Sequence, residues 1–438
     1  MNGIYCCGYL RGAVRVGFIC LVLGGVLLAA TALAFAGEPA AEPTFSRDVL
    51  PILQRSCQQC HRPGSVAPMS LLTYEEVRPW ARAIRDRTAQ REMPPWYIER
   101  NVGVRTFKED PSLSDLEIDT IDRWVDAGAP RGNPSDGPPP LELASLDEWR
   151  IGTPEWIVEL PNEQTIGATD ADHWLDIWAD SRLTEDRYIK AVETKPSPGA
   201  YRVVHHVATS MRWENDDGEE GGGFLNEYAM GKNGDIFPDG TGRLIKAGAK
   251  IRFNMHYSSA GEEVKDRTRV GFQLYPEGYV PDRVLISRHV GDSFDTLDIP
   301  AGADNVRSDG YYVLPEATQV TGFQPHMHIR GKRMCVEAIY PSGTIETLSC
   351  TGHNFGWHIV YNYSDAEAPL LPAGTILHVM GWHDNTATNR YNPDPKNWVG
   401  FGNRSIDDMS FAWMSFFHMP EQAYQRKLRE RARQSTND

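Results

Sequence analysis

Cysteine is scarce in this chain, with seven in 438 residues. Cys6, Cys7 and Cys20 fall at the very N-terminus, which leaves Cys57, Cys60, Cys335 and Cys350 to be explained. No second cysteine pair lies near Cys57 and Cys60, so the usual completion of a structural zinc site is missing. Basic residues are outnumbered, 44 Lys and Arg against 59 Asp and Glu, for a net charge of -15. That balance argues against a nucleic-acid partner and says nothing about the fold. No acidic residue occurs before Glu38, and that absence marks off the N-terminus.

There, Arg11 and Arg15 precede an apolar run from Val16 to Ala36 that ends in Ala34-Phe35-Ala36. A positive start, an apolar run and an A-x-A site describe an export signal. Residues 1–36 therefore read as a signal peptide or, because the run is long, an uncleaved N-terminal anchor. Either way the remainder is placed in the periplasm or another extracytoplasmic space. Cys335 and Cys350 flank Tyr340-Pro341-Ser342-Gly343-Thr344, a hairpin turn between two short strands. A tight turn at Ser342-Gly343 sets the two thiols opposite each other. A disulfide is one reading, suited to an oxidising compartment, and two buried thiols on neighbouring strands are the other.

Hydrophobic residues make up 41% and charged residues 24%, an ordinary globular balance. The length allows roughly two to four domains, and 12 Trp with 17 Tyr point to packed β-type cores. Residues 37–130 read as helical, with Ser114 capping a helix through Ile121, Trp124 and Val125. Residues 131–141 form a Pro-rich linker whose composition rules out a helix or a central strand. Short strands and turns follow in two blocks, 142–282 and 283–420, before a charged tail at 421–438. Glu214 to Gly223, acidic and Gly-rich, reads as a surface loop.

Cys57-Gln58-Gln59-Cys60-His61 is C-x-x-C-H, the attachment signature of c-type haem. The two thiols add to the haem vinyl groups and His61 is placed to ligate the iron. Thioredoxin-like dithiols and zinc sites do not require a histidine directly after the second cysteine. Met93, in Met93-Pro94-Pro95-Trp96, is the reading for the sixth ligand; methionine there raises the haem potential. A core methionine is the plain alternative. The region resembles a class I cytochrome c domain, which implies an all-α fold and one covalent haem.

Further on, Pro325-His326-Met327-His328 places two imidazoles at i and i+2 in a strand-like stretch, hence on one face. Imidazole suits copper, zinc, iron and nickel. Met409, in Asp407-Asp408-Met409, is the third ligand that this reading adds, and a thioether favours copper. A surface H-x-H pair with no metal is the alternative. His205 and His206 are adjacent on a β-branched stretch, and reach one metal together only at a bulge or a strand end. His256, in Phe253-Asn254-Met255-His256-Tyr257, is their third candidate partner.

In this order, His205-His206, His256, His326-x-His328 and Met409 resemble the ligands of the copper type II ascorbate-dependent monooxygenases. Peptidylglycine α-hydroxylating monooxygenase and dopamine β-monooxygenase belong to that family. Phe253-x-Met255-His256-Tyr257, Pro325-His326-Met327-His328-x-Arg330-Gly331 and Asp407-Asp408-Met409 carry the resemblance, which spans about residues 150–420. It implies two β-sandwich domains, jelly-roll-like, with one copper each. His205, His206 and His256 would hold an electron-transfer copper; His326, His328 and Met409 would hold the copper that meets O2. Met414 and Met419 compete with Met409, whose preceding acidic pair matches the family motif. The remaining histidines, 173, 289, 353, 358, 378, 383 and 418, read as structural. At the positions where the peptide hydroxylase engages substrate with Arg, Asn and Tyr, this chain has Gln324, Phe411 and Trp413. Most of the family's disulfides also lack counterparts.

The implied protein is a copper monooxygenase that hydroxylates a C–H bond of a weakly polar small molecule. An all-α cytochrome c domain would precede the two β-sandwiches, and its haem would take electrons from a redox protein or a quinol-linked donor. The rival is a non-catalytic electron-transfer or copper-binding protein on the same scaffold. Oxygen uptake coupled to product separates them.

Overall fold

The computed structural model describes residues 42–434, apart from 66, 215–219, 230, 231, 233 and 292–295. The leader read over 1–36, with its three cysteines, lies outside the described residues. Among the described residues no helix is long and apolar enough to cross a membrane.

The N-terminal part contains α1 (Leu50–Ser56), α2 (Tyr74–Val77), α3 (Ala81–Ala89) and α4 (Asp115–Asp126). Ser114 and Glu117 form a reciprocal capping box at α4, satisfying two amides that the first helical turn leaves free. Val49, Leu53, Val77, Ile121 and Trp124 close a small core among these helices.

The expected all-α cytochrome c domain is not what the described residues form. The chain is mostly β-sheet, its N-terminal helices are short, and the second half of this region leaves helix altogether. Residues 94–111 instead run as irregular chain with two turns onto the second sheet assembly. Ile98 bridges Thr351 there and Phe107 bridges Tyr363, both antiparallel. Prolines explain the break: Pro94, Pro95 and Pro111 lack the helical donor and push the preceding residue towards extended backbone. The apolar side chains between them, Trp96, Tyr97, Ile98, Val104 and Phe107, find their partners in that second core. The Pro-rich linker is likewise no free tether. It packs back on the helices, with Gln54 Nε2 donating to Pro139 O at 2.8 Å, and contains one 3-10 turn at Pro134–Asp136.

Fifteen longer strands follow. The first eight are β1 (Trp156–Glu159), β2 (His173–Asp180), β3 (Arg187–Lys195), β4 (Val204–Glu214), β5 (Glu220–Ala229), β6 (Thr241–Ile245), β7 (Lys250–Tyr257) and β8 (Arg269–Leu274). They make two sheets, ordered β1-β8-β3-β6 and β2-β7-β4-β5. Val192, Phe253, Met255, Tyr257 and Phe272 lie in the core they share. The expected loop at 214–223 is smaller than its composition suggested: Glu220–Gly223 already belong to β5, paired with β4. Gly222 and Gly223 sit in that strand at φ 127° and 129°, which other residues rarely adopt.

The second assembly holds β9 (Ile286–Gly291), β10 (Val306–Val313), β11 (Thr318–Met327), β12 (Gly331–Ile339), β13 (Ile345–Gly352), β14 (Ile376–His383) and β15 (Ser410–His418). Its sheets run β9-β15-β11 and β10-β14-β12-β13, around Val320, Phe323, Val336, Val379 and Phe416. Gly343 takes φ 85° at the β12–β13 turn. Cys335 stands opposite Cys350 across the hairpin, and the two are joined as a disulfide. A final helix, α5 (Glu421–Gln434), closes the described chain.

Candidate metal centre

The H-x-H motif occupies the end of β11, and β15 brings the Met409 region alongside it. In this antiparallel register His326 faces Phe411 and Met327 faces Ser410. Met409 therefore follows one step beyond the last pair, at the level of His328. Asp408 fixes that meeting point. Its buried carboxylate accepts the amides of His328 and Met409, each at 2.9 Å, and that of Arg330 at 3.2 Å. His383, fully buried, stands 3.4 Å from the same carboxylate. Burial would push the Asp408 carboxyl up, but His383 and His328 outweigh it and hold it low. His328 Nδ1 lies 3.3 Å from the Asp407 carbonyl. Donating there fixes the tautomer and leaves Nε2 for a metal. His326 stacks on Phe411 with ring centroids 4.7 Å apart.

The second set lies on β4 and β7 of the first sheet assembly. Adjacent histidines on a regular strand would diverge, but the β4–β7 pairing shifts register between Val204 and His206. That bulge supplies the condition the spacing demanded. Ring centroids of His205, His206 and His256 are 5.6, 4.8 and 5.1 Å apart, and one nitrogen from each lies within 4.8 Å of the others. His205 Nδ1 and His256 Nδ1 face each other at 3.1 Å. Two lone pairs at that distance repel unless a proton or a cation sits between them. Two nitrogens each about 2.0 Å from one ion, at a near-tetrahedral angle, would be about 3.3 Å apart. His206 Nδ1 is buried with no hydrogen-bond partner. His256 Nε2 points towards Asp172 at 3.4 Å, too far for a good hydrogen bond but close enough to orient the ring. The donor set thus fits a copper-type ion. Burial favours the neutral, ligating form: it pushes His206 well below the usual histidine range and His256 to about 4.

The two sets share one wall. His358 stacks on His206 at 5.3 Å and lies 5.6 Å from His326. Phe355 stands 5.8 Å from His205 and 6.3 Å from His328. Glu227, on β5, is 3.2 Å from His358 Nδ1 and also takes a hydrogen bond from Gln324. Burial alone would lower the His358 pKa, but the Glu227 carboxylate outweighs it and raises it. The sequence reading set His358 among the structural histidines, and Phe355 and Glu227 were not singled out. A lone histidine after a Trp on an irregular loop carries no local signal. Glu227 left only the faint trace of an acid in an inward strand position.

Around the C-x-x-C-H motif, α1 ends at Ser56 and the chain turns, with the amides of Cys60 and His61 both bonded to Cys57 O. The two cysteines are not bonded to each other. His61 Nδ1 faces the Met69 carbonyl at 3.3 Å, the arrangement that leaves Nε2 for an iron. Burial drives the Cys57 thiol up to about 12 and lowers the His61 imidazole from its ordinary value. Met93 is half-buried, its amide bonded to Arg87 O at 3.2 Å. This donor set fits a haem held by two thioethers and an imidazole.

Of the other histidines, His353 and His418 hydrogen-bond to His328 O and Thr318, and His378 to Asp309. His289 instead packs edge-on against Phe411 with its Nε2 unpaired.

No family model matches the sequence, and no curated protein matches it. Among solved structures the chain is similar to N-glycanase F (PNGase F) at 9% identity, covering 60% of this chain and 95% of that one, with a TM-score of 0.26. PNGF-II gives 10% identity over 60% and 65%, also with a TM-score of 0.26. Likenesses this slight carry no argument about fold or function.

Proposed function

We propose that the chain is an extracytoplasmic copper monooxygenase that draws its electrons through a haem bound at Cys57, Cys60, His61 and Met93. The observation that carries this reading is the convergence of two histidine sets on one wall, with the His328 and Met409 amides held by a single buried carboxylate. Three imidazoles on one side and two imidazoles with a thioether on the other suit two copper ions of unlike character. Bound copper would supply one-electron reduction of O2, for the net reaction R–H + O2 + 2e⁻ + 2H⁺ → R–OH + H2O.

The protein's part is to orient and to exclude water. Asp407 and Asp408 set the rotation of His328 and the approach of Met409. Phe411 covers His326, and Phe355 walls the space shared with His205. Beside Gln324, Phe224 stacks on Trp413 at 4.4 Å, an aromatic lining suited to a weakly polar substrate. The Cys335–Cys350 disulfide accords with an oxidising compartment.

The test is metal analysis of protein made where haem attachment occurs, followed by ¹⁸O2 turnover against a panel of weakly polar aromatic and aliphatic compounds. Two coppers, one haem and ¹⁸O in a product are expected. Haem that cycles without oxygen uptake on any compound would favour the non-catalytic electron carrier.

A further inference from the structure

We propose that the cavity between the β11–β12 turn and the loops after β13 and β14 binds a small aromatic carboxylate. The site stands apart from the two histidine sets and does not rest on the copper reading. Its volume is about 260 Å³, under the roughly 300 Å³ at which pockets for drug-sized ligands begin. That is room for one ring with a short side arm. Part of the lining is built to receive a ring. Phe355 and His353 come from the loop after β13, and Ile329 from the turn. His353 Nε2 donates to His328 O at 3.2 Å, which holds its ring in place. Gly331 makes room for that ring, since a Cβ there would fall 2.6 Å from His353 Cδ2.

The loop after β14 adds Arg390 and Tyr391. Asn389 places them: its Nδ2 donates to Ile329 O at 3.2 Å and Asp384 O at 2.9 Å, and its Oδ1 accepts the Tyr391 amide at 3.0 Å. Arg390 Nη2 then donates to Tyr391 Oη at 2.7 Å, and the guanidinium lies 4.7 Å from the Tyr391 ring centroid. Tyr391 itself is 47% exposed, a large ring left half uncovered.

Charge decides the sign of the ligand. Three charged side chains line the cavity, and two of them, Lys332 and Arg390, are cations. The third, Asp384, turns Oδ1 to the Thr386 amide at 2.9 Å and closes its own turn. Lys332 pairs with Asp304 at 2.8 Å, but both side chains are well exposed and such a pair holds weakly. Arg390 forms no ion pair among the described residues; its contacts are with Tyr391. A guanidinium already fixed on Tyr391 loses little freedom when it meets a carboxylate, and the bond formed is charge-assisted. The occupant would also touch Phe355, whose ring lies 5.8 Å from His205 and 6.3 Å from His328. The cavity and the histidine wall thus share one side chain.

The experiment titrates the full-length protein with phenylacetate and with its uncharged isostere phenylacetamide, read by calorimetry. Wild type is compared with Arg390→Gln and Tyr391→Leu, both at exposed positions, where folding should be unaffected. Wild type should bind phenylacetate about 10-fold more tightly than the amide. Arg390→Gln should lose about that factor for phenylacetate and nothing for the amide. Tyr391→Leu should weaken both, because it removes a ring and the support of the guanidinium. No binding by wild type, equal binding of the two compounds, or an Arg390→Gln protein that matches wild type would overturn the proposal. Inorganic phosphate that displaced phenylacetate at equal concentration would also overturn it, by reducing the site to a general anion patch. A protein that bound phenylacetate but no copper would uphold this site and remove the copper reading.

Discussion

Asp408 Oδ1 accepts the amide of His328 at 2.9 Å, so the residue just before Met409 holds the histidine that Met409 would accompany. The same oxygen accepts the Met409 amide, and His383 lies behind it with both side chains wholly buried. Asp408→Ala leaves three amides without their acceptor and takes the carboxylate from beside His383, which keeps only the Met409 carbonyl at 3.2 Å. A loss of about 3 kcal/mol is expected from breaking such a pair, together with loss of one copper. Asp408→Asn keeps an acceptor for the amides and should lose less of both. Chemical denaturation with copper analysis checks this; an Asp408→Ala protein that retained both ions would refute the clamp.

Arg330 is 2% exposed and reaches Asn385 Oδ1 at 2.8 Å, Ile406 O at 2.8 Å and Asn392 Oδ1 at 2.9 Å. It anchors the loop that leads into Asp407-Asp408-Met409. Lysine cannot reproduce this fork of donors. Arg330→Lys should weaken the His326-side copper while leaving the other ion in place, as copper titration would show. Equal weakening of both would mean a general loss of folding instead.

The two histidine sets predict separable losses. His256→Ala should remove one copper and slow electron delivery. His326→Ala should abolish turnover while the haem stays reducible. An active His326→Ala enzyme would withdraw the O2-side assignment.

The geometry of the candidate site was partly legible because its histidines sit at spacings that local structure constrains. His326 and His328 share a face by strand alternation, and the His205-His206 pair demanded a bulge that the β4–β7 register provides. That Cys335 and Cys350 face each other followed from a turn with Gly343 at its tip, while their joining as a disulfide rather than two thiols did not. What escaped depended on contacts between distant segments. His358 acquires its place only when the loop after β13 meets β4 and β5. The N-terminal region was misread for a related reason. Helical spacing in α4 is real, but Trp96, Ile98 and Phe107 find their partners more than 240 residues away, and nothing local announces that.

For the haem, one covalent group per chain should survive denaturation and acid-acetone extraction, because two thioether bonds would hold it. Met93→Ala should lower the reduction potential, since it removes the ligand that raises it. An unchanged potential on redox titration would exclude Met93 as the axial ligand.

The final prediction concerns how the haem region is coupled to the histidine wall. Trp96 packs edge-on against Tyr361 at 4.8 Å, and Glu99 pairs with Arg333. Asn354 Nδ2 donates to Tyr97 Oη at 3.2 Å, and the residue after Asn354 is the Phe355 that faces His205 and His328. Met93 thus lies three residues from a segment built into the second sheet assembly. Deleting the N-terminal region would strip that core of Trp96, Ile98 and Phe107, so truncation cannot isolate an electron-transfer role. Cys57→Ala with Cys60→Ala in the full chain removes haem attachment and leaves the docked segment intact. This variant should bind copper normally and lose turnover with a cytochrome-specific donor. Ascorbate, a small diffusible reductant, should partly restore it. In wild type, copper reduction after rapid haem reduction should proceed at a rate independent of protein concentration, as expected of donor and acceptor in one chain. Trp96→Ala should slow that step and cost about 3 kcal/mol of stability. If the haem-free variant turned over equally well with the protein donor, the haem would not be the entry point for electrons, and the docked segment would be structural alone.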